Sequence, residues 1–300
     1  MSLRALLEAA EGVVAPSLSA CVLVNGREVF AHHADRIYDL ASLTKVLCTT
    51  EVALRFAADG RLPLDAPHPL WQPGLTARRL LQHSAGCLWW KDLGAEASGR
   101  EAILRLALTE PLVTAPGAVH TYTDLGFLSL GAALEAVGGA RIDALYAQEA
   151  PDAAVRLAWG HPDAVPTEGG LQGVVHDDNA RNMGGVAPHA GLFGDARAVA
   201  FVANRWLEGR VPLAAEAFTA HGAGSHVLGW DTPSGEASSA GPTPPPDAVG
   251  HTGFTGTSVW MSPSRGVVAV LLTNRVAYGR DPAWIRALRH AWHQEAWSAG

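Results

Sequence analysis

Runs that favour β-structure lie only near the two ends of this chain, and what lies between them reads as helix or irregular loop. Near the N-terminus, residues 19–24 and 27–32 are short β-rich stretches joined by Asn25-Gly26, the pair best suited to a two-residue hairpin turn. Near the C-terminus, residues 257–263 and 266–275 are two more, separated by a short turn. Apolar residues at helical spacing mark residues 3–12, 42–60, a short piece within 76–84, 99–109, 124–137, 195–209 and 281–297. To pair its strands such a chain must bring its two ends together. The class is therefore α+β: one antiparallel sheet built by both termini and flanked by N- and C-terminal helices, with the middle of the chain inserted as a helical lobe. The expected single domain has its sheet lobe at about residues 1–50 and 195–300, and its helical lobe at about 51–194.

Local chemistry refines this. Asp124 is placed to cap the helix over 124–137, which Gly138-Gly139 ends, and Pro282 sits in the first turn of the last helix. Residues 151–194 have little periodicity and much Gly, Pro, His and Asp, as expected of a long excursion that lines a site. Residues 241–247 (GPTPPPD) read as extended, poorly ordered polyproline. The 300 residues are 48% hydrophobic and 17% charged, enough to bury a large core. A net charge of −7 without any basic run argues against a nucleic-acid partner. No apolar run approaches a membrane span, and Glu8 and Glu11 interrupt any leader, so no membrane association is expected. Cys21, Cys48 and Cys87 have no pairing or zinc-ligand spacing, and read as buried thiols of a cytoplasmic protein.

Only two of the 22 cationic residues are lysines, Lys45 and Lys91. A lysine inside a motif is thus unusual here, and Ser42-Leu43-Thr44-Lys45 opens the helix that starts at 42. The i, i+3 spacing puts both side chains on one face, with the Ser42 hydroxyl in the positive field of the helix start. A partly desolvated Lys45 can then lose its proton and serve as base.

Two further segments carry a resemblance. His120-Thr121-Tyr122-Thr123-Asp124-Leu125-Gly126-Phe127 resembles the Y-x-N element of class C β-lactamases, and His251-Thr252-Gly253-Phe254-Thr255-Gly256 resembles their K-T-G strand. With residues 75–86, 164–194 and the terminal strands, the likeness covers most of the chain. It identifies the serine β-lactamase-related, penicillin-binding-protein-like group, which includes esterases. The resemblance implies Ser42 as nucleophile, Lys45 as its activator and Tyr122 as proton relay, with the N–H groups of Ser42 and Phe254 as oxyanion hole. It places Asp124, His251, Thr252 and Gly253 against the substrate. The expected function is a serine hydrolase cleaving an ester or amide (a β-lactam, a D-Ala-type peptide or a small ester) through an acyl-enzyme on Ser42, with neither cofactor nor metal. Its partner is a small acyl substrate, and the oligomeric state stays open. The alternatives within the same fold are a penicillin-binding sensor that is acylated once without turnover, and an inactive interaction protein.

Two departures bear on substrate. Asp124 stands where class C enzymes have Asn, and His251 replaces the lysine of K-T-G. An imidazole with a reference pKa near 6.5 predicts a mostly neutral His251 at pH of about 7.5 and a charged one near 6. Neutral esters should then be preferred over anionic β-lactams, unless an arginine holds the carboxylate.

Among the remaining candidates, His176-Asp177-Asp178-Asn179 offers metal-ligand types but reads better as loop-anchoring hydrogen bonds. His32, His33 and His161 read as surface histidines, His83 as a residue that fixes a turn, and Ser84 as a helix-end hydroxyl. Trp89-Trp90 read as core or pocket wall.

Overall fold

The computed structural model describes residues 2–219, 224–235 and 238–300. Ten strands lie at Leu18–Val24 (β1), Arg27–His32 (β2), Tyr38–Asp39 (β3), Ala158–Trp159 (β4), Leu192–Gly194 (β5), His226–Val227 (β6), Trp230–Asp231 (β7), Val249–Thr252 (β8), Ser258–Ser262 (β9) and Val267–Thr273 (β10). Seven form one antiparallel sheet in the order β2-β1-β10-β9-β8-β7-β6, so the first hairpin joins strands from the far end of the sequence. The turn between β1 and β2 has positive φ at both Asn25 and Gly26, the conformation that pair was read to supply.

Both faces of the central strand β10 are buried, and its side chains alternate between two cores. Val267, Ala269 and Leu271 pack with Leu7, Ile285, Leu288 and Trp292 of the terminal helices Leu3–Ala10 and Ala283–Ala296. Val268, Val270 and Leu272 face the larger core, shared with the helix Ala196–Leu207 and the segment after Ser42. The α+β class is as read: a sheet made by the two ends of the chain, terminal helices on one face and the intervening helices on the other.

Several local expectations are corrected. The helix over 42–60 exists, but Lys45–Thr49 is π-wound before the regular helix Thr50–Ala58. Thr123, not Asp124, caps the helix Asp124–Gly138, its hydroxyl accepting from the Gly126 N–H at 3.1 Å; Asp124 is the first helical residue and its carboxylate is turned elsewhere. The proline-rich stretch is pinned to the last helix: the N–H and hydroxyl of Thr243 both donate to Gln294 Oε1 at 2.9 Å, and the Trp297 indole donates to the Ala240 carbonyl. His32 is buried on β2, 3.9 Å from Glu11, because its strand turns that side chain inward. The three cysteines are buried and unpaired. No single helix among the described residues is long and apolar enough to cross a membrane.

Candidate active site

A cleft of about 660 Å³ opens between the end of β8 and the inserted helices, and it collects most of the residues singled out above. Ser42, Tyr122, Asp124, His251, Thr252, Gly253 and Phe254 all line it, as do Trp89 and Trp90.

Ser42 is presented by a tight turn. Ala41 is in the left-handed region at φ +48, which costs a residue with a Cβ, and its N–H donates to the buried Asp39 carboxylate at 2.8 Å. Asp39 also accepts from the His176 N–H, and burial pushes its pKa up to about 6. One turn later Lys45 reaches back, with Nζ 3.0 Å from Ser42 Oγ. The Lys45 side chain is fully buried, and Nζ also donates to the His189 carbonyl at 3.2 Å.

The Asp124 carboxylate lies 2.6 Å from Lys45 Nζ, which corrects two expectations. Asp124 is turned to the lysine and not toward a substrate side chain. Burial alone would lower the Lys45 pKa, but the Asp124 carboxylate and the Tyr122 phenol outweigh it and hold the ammonium above the ordinary lysine value. The lysine is therefore charged in the resting site. Tyr122, whose ring centroid is 5.1 Å from Nζ, is pushed above the usual phenol value by burial, with Lys45 opposing the shift and the Asp124 charge adding to it.

The strand side is set by close approach. A Cβ on Gly253 would stand 2.2 Å from Thr257 Oγ1 and 2.7 Å from the Leu40 carbonyl, so glycine lets β8 touch the segment that carries Ser42. Arg289 donates to the Gly253 and Thr257 carbonyls at 2.7 and 2.8 Å, and Arg275 to the Phe254 carbonyl at 2.7 Å. The N–H groups of Ser42 and Phe254 donate to no other described residue. His251 is only 2% exposed, and burial with the nearby Lys45 charge drops its pKa to about 3. The expected protonation of His251 near pH 6 is thereby overturned.

The remaining candidates are placed as follows. His83 has φ +53 and its Nδ1 accepts from the Thr123 N–H at 3.0 Å, so it does fix the chain leading to Tyr122. The Ser84 hydroxyl faces the Arg79 carbonyl. In the loop, His176 meets Glu168 at 2.9 Å, Asp177 takes His189 Nε2 at 2.8 Å and the Ala180 N–H, and Asp178 pairs with Arg181: these are anchoring contacts. Residues the sequence did not single out also line the cleft: His226, Asp231, and Arg275, Arg280, Arg286 and Arg289. Arg280 pairs with Glu168, but Arg275, Arg286 and Arg289 have no carboxylate partner among the described residues. All four fall within residues 275–289, with Arg286 and Arg289 three apart on the last helix, so the cluster stands in the sequence; what the sequence does not show is that this segment turns toward the cleft.

An antiparallel sheet built by both chain ends, with helices inserted between them and Ser42 beside the buried Lys45 at their junction, is the architecture of the beta-lactamase and penicillin-binding-protein-like fold. The chain belongs to the beta-lactamase family, whose model matches residues 4–291. It is 27% identical to a putative D-alanyl-D-alanine carboxypeptidase of Escherichia coli (strain K12), over 80% of this chain and 69% of that protein. It is 26% identical to an N-acetylmuramyl-L-alanine amidase of Bacillus subtilis (strain 168), over 80% and 68%. Among solved structures, a beta-lactamase from Mycobacterium bovis shares the fold with a TM-score of 0.74, 20% identity and 98% of each chain covered. EstCE1, a hydrolase with promiscuous acyltransferase activity, shares it with a TM-score of 0.74, 21% identity, and 96% and 97% covered.

Proposed function

We propose that the protein is a serine hydrolase that cleaves amides or esters bearing a carboxylate, through an acyl-enzyme on Ser42. The observation that carries this reading is the 3.0 Å contact from Lys45 Nζ to Ser42 Oγ, with Asp124 closing on the same Nζ at 2.6 Å. Ser42 Oγ bonds to the substrate carbonyl carbon as its proton passes to Lys45, which passes one on to Asp124. The free N–H groups of Ser42 and Phe254 receive the oxyanion. The Tyr122 hydroxyl protonates the leaving group as the C–N or C–O bond breaks, and regains a proton from Lys45. Water then releases the acyl group by the same steps with roles reversed.

The carboxylate preference rests on Arg275, Arg286 and Arg289, guanidiniums that line the cleft without a carboxylate partner among the described residues. They supply the positive charge that a buried, neutral His251 does not, which reverses the preference for neutral esters read from the sequence. The names of the carboxypeptidase and amidase relatives agree with amide chemistry on this fold.

The test is intact-mass spectrometry after incubation with a fluorophosphonate, a penicillin and a nitrophenyl ester. An adduct in the wild type, absent in Ser42→Ala, with steady-state turnover of at least one substrate is expected. A stable adduct with no turnover of any substrate would establish the sensor instead, and adduct retained in Ser42→Ala would move the nucleophile elsewhere.

A further inference from the structure

Beneath the Tyr122 ring lie three imidazoles that the acyl-transfer scheme leaves unused. His83 follows the helix Ala77–Leu81, His226 lies on β6 and His251 on β8; they are 1%, 7% and 2% exposed. One ring nitrogen from each falls within 4.8 Å of the others. Neither nitrogen of His251 has a hydrogen-bond partner, and neither has Nε2 of His83. Buried polar atoms are ordinarily satisfied, so unpartnered nitrogens on both His83 and His251, with one nitrogen of each ring close to one of His226, mark a position shaped for something that binds them. One edge of His226 is occupied: its Nδ1 is 3.0 Å from His120 Nε2, 3.3 Å from Ser225 Oγ and 3.7 Å from Asp231 Oδ1. An imidazole whose one nitrogen is engaged by such neighbours presents the other as a lone pair, the usual arrangement of a metal-bound histidine.

We infer that His83, His226 and His251 form a site for a divalent transition ion of the zinc type, which occupies the cleft floor against Tyr122. Three neutral imidazoles suit zinc, and bond lengths of about 2.0–2.1 Å require the rings to draw together by roughly an ångström. Burial keeps all three rings below the ordinary histidine pKa, so protons compete little for these nitrogens near neutrality. The ligands are unequal. His83 Nδ1 takes the Thr123 N–H, which leaves the ring's own proton on Nε2; ligation by Nε2 moves that proton to Nδ1 and gives up the Thr123 bond. His226 and His251 are thus the principal ligands, and His83 the weakest. The ring centroids of His83, His226 and His251 lie 4.5, 5.7 and 5.8 Å from that of Tyr122, so the bound ion draws on the phenol and adds charge beside Lys45. Occupancy therefore opposes acylation, and the ion inhibits.

Calorimetric titration of the full chain with Zn²⁺, after chelator treatment, tests the site without any substrate and independently of the proposed hydrolysis. One ion per chain is expected. His226→Gln and His251→Asn should each weaken binding more than about tenfold, and His83→Gln less. His33→Gln, in the other histidine cluster (Glu11, His32, His33), should leave binding unchanged. Thermal melting of each variant shows whether it folds, and the visible spectrum of wild type loaded with Co²⁺ should show a low-coordinate imidazole site even if one does not. Binding unaffected by His226→Gln and His251→Asn, or abolished by His33→Gln, overturns the inference. So does a wild type that takes up no ion. As a separate readout, Zn²⁺ should slow labelling of Ser42 reversibly; normal labelling with the site filled would remove the inhibitory role while leaving the ion site in place.

Discussion

Lys45 is pulled two ways: burial disfavours its charge, and Asp124 together with Tyr122 restores it. Removing the carboxylate leaves burial less opposed, so in Asp124→Asn the Lys45 pKa should fall, by about 1 to 3 units for an opposite charge at this range. The pH profile of kcat/KM for a neutral nitrophenyl ester should acquire a limb in the variant that the wild type lacks; superimposable profiles would mean that Asp124 does not set the charge of Lys45. That Ser42, Lys45 and Tyr122 come together was legible in the sequence because spacing and motif order survive without coordinates. The charge state of Lys45 and the neutrality of His251 near pH 6 were not, since both depend on burial and on side chains brought from other elements. The same holds for Arg286, which is exposed and has no carboxylate partner among the described residues. Arg286→Gln should raise KM for a carboxylate-bearing substrate about tenfold, roughly 1.4 kcal/mol, and leave a neutral ester unchanged. Equal effects on both substrates would remove the arginine from carboxylate recognition.

At the scale of elements, punctuation was readable wherever a single residue dictates the backbone. Asn25-Gly26 made the hairpin, and Gly139 ends its helix in the left-handed conformation at φ +67. Thr76 starts the short helix Ala77–Leu81, its hydroxyl accepting from the Arg79 N–H. Strands of two residues such as β3, β6 and β7 were not readable, because tertiary pairing and not local pattern sustains them. The π-wound turn after Ser42 is likewise invisible in Lys-Val-Leu-Cys-Thr. The approach of β8 to the Ser42 segment is set by Gly253, and Gly253→Ala tests it. Its Cβ would strike Thr257 Oγ1 and the Leu40 carbonyl, and the backbone oxygen cannot swing aside. The strand and the nucleophile segment should part by a few tenths of an ångström, at a cost of about 1 to 3 kcal/mol in stability. Labelling of Ser42 should slow by more than the loss of folded protein explains, as read by denaturant unfolding beside labelling rates. A variant as stable and as fast as wild type would show that the contact does not matter.

For the whole molecule, the balance of buried titratable groups fixes the response to acid. His83, His226, His251 and His293 all lie well below the ordinary histidine value because they are buried, His251 at about 3. The unfolded chain protonates these imidazoles near pH 6.5, whereas the folded chain refuses them. The unfolded state thus binds more protons, and stability is complete above about pH 6.5 and lost as pH falls below it, by up to about 1.4 kcal/mol per pH unit for each ring. Asp39 and Asp231 work in the opposite sense. Burial raises both to about 6, so the folded state takes their protons first and gains stability as pH falls through that value. Four rings against two carboxyls leave the histidines in control between about pH 6.5 and 5, above the range where ordinary carboxylates titrate. Urea unfolding at about pH 7.5 and about pH 5.5 should therefore give a lower midpoint at the acid end, with the slope of the transition unchanged. His226→Gln should flatten that dependence by one ring's share. A midpoint that rises on acidification would mean that the imidazole cluster is open to protons in the folded state, and the acid response would then belong to the two aspartates.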